Sequence, residues 1–236
     1  MQNILEVKNL TVSFDSEKIL DNLSFNLKEK ENLVVVGPNG AGKTMLLKAL
    51  IGMIPFKGEI IWKKDVRIGY VPQKVLPEKN IPLSIEDFFK FKSCLSADRK
   101  TDSQQISQAL KSVGIGDPSI LKKKIGIISA GLLQRILIAW ALVDNPEVLL
   151  FDEPFSGIDI EGEETIYNLL SRIEKERDLT IILITHDLSV VYKFADSVLC
   201  LNKKLICYGS PREALTPNSL NRLYGGEIKF YKHEHK

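Results

Sequence analysis

Eight consecutive residues, Gly37-Pro38-Asn39-Gly40-Ala41-Gly42-Lys43-Thr44, restrict the possible folds of this chain more than any other feature. Four apolar residues with strand preference, Leu33 to Val36, precede them, and Met45-Leu46-Leu47-Lys48-Ala49-Leu50-Ile51 follows with helix-forming character. A buried strand, a glycine-rich turn and a helix in direct succession are the building unit of a parallel α/β sheet. Gly37, Gly40 and Gly42 allow the backbone to turn closely and aim its N–H groups at an anion. The helix that starts here adds the positive end of its dipole. Lys43 and Thr44 complete the phosphate-loop pattern G-x-x-x-x-G-K-[ST]. Lys43 has the reach for the β- and γ-phosphates of a nucleoside triphosphate, and the Thr44 hydroxyl is a ligand for Mg²⁺.

The rest of the composition sets bounds. The chain has 236 residues, 44% hydrophobic and 26% charged, which suits a globular protein with a sizeable core. Its 32 basic and 30 acidic residues nearly balance, so charge gives no reason to expect nucleic acid as a partner. No apolar run approaches the roughly 18 residues of a membrane span, and Met1-Gln2-Asn3-Ile4 does not begin a secretory signal. Cys94, Cys200 and Cys207 lack metal-like clustering and read as reduced, packed thiols of a cytosolic protein. Cys200 and Cys207 flank a predicted hairpin, but free thiols are the expectation.

Along the chain, apolar residues alternate at Leu5, Val7, Leu10, Val12 and Phe14, and again over Ser24–Leu27, predicting antiparallel strands. Leu46, Leu47, Leu50, Ile51 and Ile54 fall at helical spacing up to Pro55. Glu59–Trp62 and Arg67–Val71 read as strands. The texture turns helical after Pro82. Ser84 and Asp87 form a capping pair ahead of Phe88 and Phe89, Ile106, Ala109, Leu110 and Val113 make a stripe closed by Gly114, and Ser129 to Val143 is apolar nearly all round. Strands return at Val148–Phe151 and at Thr180–Thr185. Ser210-Pro211-Arg212-Glu213 reads as a capping box, and Thr216-Pro217 opens another helix. The expected architecture is α/β: a P-loop NTPase (RecA-like) core with an N-terminal antiparallel β subdomain and an inserted helical subdomain. Residues 1–236 are read as one domain, with 1–81 and 146–236 as the core and 82–145 as the insertion.

Four further features narrow the chemistry. Asp152 ends a buried strand, where a carboxylate can hold Mg²⁺, and Glu153 beside it suits a general base for an attacking water. Gln73 follows the strand ending at Val71 and can contact water or the metal. Ser129 and Gly131 begin a long helix, which offers a hydroxyl and free N–H groups to an anion. His186 follows the strand ending at Thr185, the carboxyl end at which open α/β sheets bind ligands.

The order of these pieces resembles the ATP-binding subunits of ABC transporters over essentially the whole chain. Gly37–Thr44 is similar to Walker A, Val148–Asp152 to Walker B, Gln73 to the Q-loop residue and His186 to the switch histidine. Ser156-Gly157-Ile158-Asp159 resembles the D-loop and Ser129–Gly131 the signature motif, while Phe14 stands where the family has an aromatic residue that stacks on adenine. The resemblance implies an ATPase working with ATP and Mg²⁺. Two copies would meet head to tail, each ATP held by the Walker A of one and Ser129 of the other. It also implies integral-membrane permease subunits, an indirectly engaged extracytoplasmic solute-binding protein, and a peripheral place on the cytoplasmic face of the cell membrane. The family signature commonly reads Leu-Ser-Gly-Gly-Gln, whereas this chain has Ile128-Ser129-Ala130-Gly131-Leu132. Ala130 is tolerable there only at negative φ.

Asp152–Asp159 and the tail from Val198 to Tyr231 are similar to ATPases of zinc- and manganese-type metal importers. His233 and His235 in the last residues are candidate transition-metal ligands, although a frayed charged tail explains them equally well. Another cargo, such as an iron chelate, a cofactor or an exported substrate, is the alternative. A non-transport ABC ATPase acting on nucleic acid or ribosomes fits less well, because the chain has one cassette and balanced charge.

Overall fold

Leu5, Val7, Leu10 and Val12 are buried on β1 (Asn3–Phe14), and Leu20, Leu23, Phe25 and Leu27 on β2 (Glu17–Lys28). The two strands form an antiparallel hairpin. Its turn, Asp15-Ser16, has φ of 45° and 72°, the positive values whose twist matches that of a hairpin. Asn9 and Asn22 also have positive φ, 52° and 57°, which short polar side chains tolerate. The backbone N–H groups at these irregular points are used: Asn9 donates to Ser24 Oγ at 2.9 Å and Asn22 to Thr11 Oγ1 at 3.1 Å. With β4 (Lys57–Trp62) on the other side of β1, the antiparallel sheet has the order β2-β1-β4.

The computed structural model describes residues 2–73, 82–95, 102–154 and 160–225, the side chains of 93–95 and 160–165 excepted. The chain divides into two compact units, Met1–Lys63 with Leu183–Lys236, and Lys64–Ile182. The first holds the antiparallel sheet together with β3 (Asn32–Val36), α1 (Lys43–Leu50), α6 (Leu188–Phe194), β8 (Ser197–Asn202), β9 (Lys204–Gly209), α7 (Pro211–Ala214) and α8 (Pro217–Tyr224). The second holds β5 (Ile68–Val71), α2 (Ile85–Leu95), α3 (Ser103–Ser112), α4 (Ala130–Leu142), β6 (Val148–Asp152) and α5 (Ile160–Arg177). The strand β7 (Thr180–Ile184) begins in the second unit and ends in the first.

Every residue of β3, β6 and β7 is buried, the pattern of central strands covered on both faces. In the first unit β3 lies between the end of β7 and β8, and β3 and β8 run parallel. In the second, β5 and β6 run parallel, with Tyr70 opposite Leu150 and Val71 opposite Phe151. The fold is thus α/β, with an antiparallel sheet and a mixed sheet, as the sequence pattern predicts.

In the second unit, α2 is tied to the end of α4 by the half-buried Lys92. Lys92 Nζ donates to the Trp140 carbonyl at 2.6 Å, pairs with Asp144 at 3.1 Å and lies 4.4 Å from the Trp140 ring centroid. A cation on the last carbonyls of a helix complements its dipole. Burial lowers the Lys92 pKa, with Asp144 opposing the shift. Ser84 caps α2 as predicted: its Oγ accepts from the Asp87 N–H at 3.0 Å.

Three expectations need correction. The helix α1 ends at Leu50, four residues short of Ile54, because Gly52 takes a left-handed φ of 71° and stops it before Pro55. Trp62 Nε1 donates to the Leu50 carbonyl at 2.8 Å, occupying a helix-end acceptor. Ser210 does not accept from a backbone N–H; its hydroxyl donates to Glu213 Oε2 at 2.6 Å. The complete capping box belongs to Thr216 and Ser219 at α8. Finally, Cys200 and Cys207, expected as free thiols, are joined by a disulfide. They stand directly opposite on β8 and β9 with Cα atoms 4.9 Å apart, within the span a disulfide bridges.

Candidate functional site: the phosphate loop and the carboxylate pair

The loop leaves β3 at Gly37 and enters α1 at Lys43. Gly37 is buried against β8, and a Cβ built there would collide with the Leu201 carbonyl oxygen. Gly42 has φ of 95°, and a Cβ would lie 2.6 Å from Leu20 Cδ2 and 3.0 Å from the Ile19 carbonyl. The loop therefore needs these glycines for its fit to β8 and β2. Pro38, Asn39 and Gly40 form the more open part of the loop, while Ala41 and Gly42 are buried. The loop is pinned from behind by the Lys203 N–H, which donates to the Ala41 carbonyl at 3.0 Å. Gly37→Ala is expected to destabilise the protein by about 1–3 kcal/mol through forced overpacking. For a chain of this size that lowers Tm by roughly 2–12 °C in a thermal melt. An unchanged melting temperature would show that the wall yields.

Lys43 is only 6% exposed. Its Nζ donates to the carbonyls of Gly37 at 2.8 Å and Pro38 at 3.0 Å, closing the loop on itself. Thr44 follows in the first turn of α1 and is half-buried. Phe14 ends β1 with 42% of its surface exposed, on the hairpin whose second strand packs against Gly42.

The edge that carries the loop also carries His186. The Thr185 N–H donates to the Val35 carbonyl at 3.3 Å, so the carboxyl ends of β7 and β3 lie side by side. His186 is exposed there. Its backbone is held on the far side by Asp187, which caps α6 by accepting from the Ser189 N–H at 2.7 Å, and whose own N–H donates to Thr185 Oγ1 at 3.1 Å.

In the second unit the parallel register of β5 and β6 brings Gln73 to Glu153. Val71 pairs with Phe151, so two residues further each chain reaches the pair. Gln73 Nε2 donates to Glu153 Oε2 at 2.6 Å. Glu153 has φ of 45°, a left-handed value rare for a residue with a long side chain. Such conformations persist where neighbouring structure imposes them, and they cluster at functional sites. Asp152 is 2% exposed, at the last position of β6. Sequence reasoning did not assign Tyr70, whose hydroxyl donates to Asp152 Oδ2 at 3.4 Å. Burial, and then the charge of Asp152, pushes the Tyr70 pKa up, so the hydroxyl stays protonated as a donor. No local sequence pattern marks this contact, which depends on the register of β5 against β6.

Ser129 is the N-cap of α4, and its Oγ accepts from the Leu132 N–H at 3.3 Å. It is exposed, as is Ala130, and Gly131 is half-buried with open space around its Cα. Ala130 is the first helical residue, which satisfies the negative-φ condition. Asp159, the rest of the D-loop-like stretch, and His233 and His235 lie outside the described residues. Among the described residues no group of three or more His, Cys, Asp or Glu is arranged to hold a metal ion. Nor is any helix among them long and apolar enough to cross a membrane.

The ABC transporter family matches residues 20–156. The chain is 35% identical over 240 residues to the zinc import ATP-binding protein ZnuC of Wigglesworthia glossinidia brevipalpis, covering all of both chains. It is 34% identical to the protein of the same name from Haemophilus influenzae, over 99% of this chain and 86% of that one. Among solved structures, one described as a metal-chelate type ABC transporter in an inward-facing conformation is similar with a TM-score of 0.82 and 29% identity. That match covers 94% of this chain and 89% of the other. The matched span includes the phosphate loop, Gln73, Ser129 and the Asp152–Glu153 pair, and the chain belongs to the ABC transporter family as one of its ATP-binding domains.

Proposed function

We propose that this protein is the ATP-hydrolysing subunit of a transporter that imports a divalent metal ion, zinc or manganese, through a separate membrane permease. The hydrogen bond from Gln73 to Glu153 carries the hydrolytic part of this reading, because it fixes a carboxylate next to the buried Asp152. The cargo rests on full-length similarity to proteins named as zinc import ATP-binding proteins.

In this reading the backbone of Gly37–Gly42 cradles the β- and γ-phosphates, and Lys43 turns its ammonium from the loop carbonyls to the phosphate oxygens. Phe14 lies against the adenine. The Thr44 hydroxyl, the Asp152 carboxylate and the Gln73 amide oxygen are hard oxygen donors, a set that fits Mg²⁺. Mg²⁺, when bound, neutralises charge on the phosphate oxygens. Glu153 accepts a proton from the water that attacks the γ-phosphorus, and Gln73 holds that carboxylate in place. His186 contacts the γ-phosphate. Ser129 and Gly131 complete the site on the ATP of a second copy, and Asp159 lies at the same junction. Loss of the γ-phosphate then lets the two copies part.

Residue 132 tunes that closure. It is the third residue of α4, where a Gln side chain both reaches back to the Ser129 N–H as a capping box and offers a polar group to the partner's nucleotide. Leu132→Gln is expected to strengthen ATP-driven dimerisation by roughly 2- to 10-fold, the worth of one added hydrogen bond. Equal dimerisation by sedimentation would remove residue 132 from the interface.

The test of the whole reading is the purified complex with its permease in lipid. Its ATPase should rise when a metal-loaded solute-binding protein is added with zinc or manganese. Stimulation by an iron chelate or a cofactor instead would reassign the cargo and leave the ATPase reading standing.

A further inference from the structure

Cys200 and Cys207 take no part in the mechanism above, yet Cys200 lies on the strand next to the one that leads into the phosphate loop, with Cys207 opposite it on β9. Cys200 pairs in register with Val36, the last residue before Gly37. The next residue, Leu201, sets its carbonyl against Gly37 where no Cβ fits. Lys203 then donates its N–H to the Ala41 carbonyl at 3.0 Å and accepts from the Asp21 N–H at 2.8 Å. The stretch from Cys200 to Lys203 is therefore the wall on which the loop is shaped. The β8–β9 ladder is irregular at this point, since Cys200 faces Cys207 whereas Leu201 faces Leu205. An irregular ladder holds its strand less firmly, and the bond between the two sulfurs clamps the wall there.

We propose that Cys200 and Cys207 form a redox-modification site that takes a thiol reductant: as the disulfide it holds the wall and favours triphosphate binding, and its reduction weakens that binding. This inference rests on the ATP-binding reading. Cys200 is buried and Cys207 half-buried, so the reductant's thiolate attacks the Cys207 sulfur. The S–S bond breaks, its electron pair passes to the Cys200 sulfur, and that sulfur takes up a proton. A second thiol of the reductant attacks the mixed disulfide and releases Cys207 as a thiol. The protein gains two electrons and two protons while two reductant thiols become one disulfide. Where the surroundings keep thiols reduced, disulfides that do form are mostly transient sensors. Oxidative stress would then raise nucleotide affinity.

The test uses the full chain carrying Cys94→Ser, so that no other thiol contributes. Affinity for a non-hydrolysable ATP analogue with Mg²⁺ is measured after oxidised glutathione and after dithiothreitol, with thiol titration confirming each state. The reduced form should bind roughly fivefold or more weakly. By reciprocity, the bound analogue should protect the disulfide against reduction by the same factor. Cys207→Ser should match the reduced form and ignore both reagents. Equal affinities in the two states, thiols that oxidised glutathione cannot pair, or a Cys207→Ser protein that still responds would each overturn the inference. Failure of both forms to bind the analogue would overturn the ATP reading, and this inference with it.

Discussion

Glu153→Gln should leave ATP binding intact and lower turnover by about 10²- to 10⁴-fold, the usual worth of a general base. The substitution keeps shape and length, and an amide oxygen can still accept from Gln73 Nε2, the 2.6 Å bond that fixes the side chain. The left-handed backbone at this position, φ 45°, is equally demanding for Gln and Glu. Neither the fold nor the orientation of the side chain should therefore change; only the ability to take a proton is lost. With hydrolysis blocked, ATP should hold two copies together, and size-exclusion chromatography should show a dimer with ATP and a monomer with ADP. Phosphate release at the wild-type rate would remove Glu153 from the base role. Gln73→Ala is the informative partner: it leaves the carboxylate but removes its tether, so kcat should fall less than in Glu153→Gln.

Much of this site was legible because strand ends can be read from apolar runs. Leu33–Val36, Val148–Phe151 and Thr180–Thr185 announce three buried strands, and the residues after them, Gly37, Asp152 and His186, stand where those strands end. The direct link of Gln73 to Glu153 was not legible, because it depends on register: Val71 must lie opposite Phe151, and no local pattern fixes that pairing. Tyr70 escaped for the same reason, since its value as a donor to Asp152 comes from the neighbouring strand. The disulfide is not legible in the sequence, because the spacing of Cys200 and Cys207 allows a hairpin without specifying which residues face each other across its irregular ladder. The loop pattern marks Gly37 as a phosphate-loop glycine, whereas its second constraint, the Leu201 carbonyl, comes from a strand more than 160 residues further along the chain.

Lys43→Ala should weaken Mg-ATP binding by about 10- to 100-fold, the worth of a charge-assisted hydrogen bond to phosphate. The structure supplies the reason to expect an effect on the loop as well. The ammonium bonds the Gly37 and Pro38 carbonyls at 2.8 and 3.0 Å, so it holds the loop's first turn and is poised within it. Lys43→Ala and Lys43→Met both remove the tie and the positive charge, but Lys43→Met keeps an aliphatic stem in the buried slot. If the ammonium acts on phosphate, both variants should lose ATP affinity by a similar factor in a titration with a fluorescent ATP analogue. If it only braces the loop, affinity should track the thermal stability of each variant, and Lys43→Met, which keeps the buried stem, should lose less affinity than Lys43→Ala. ADP separates the roles further. The lysine reaches the β- and γ-phosphates, so the loss should be larger for ATP than for ADP, and equal losses would place the ammonium no further out than the β-phosphate.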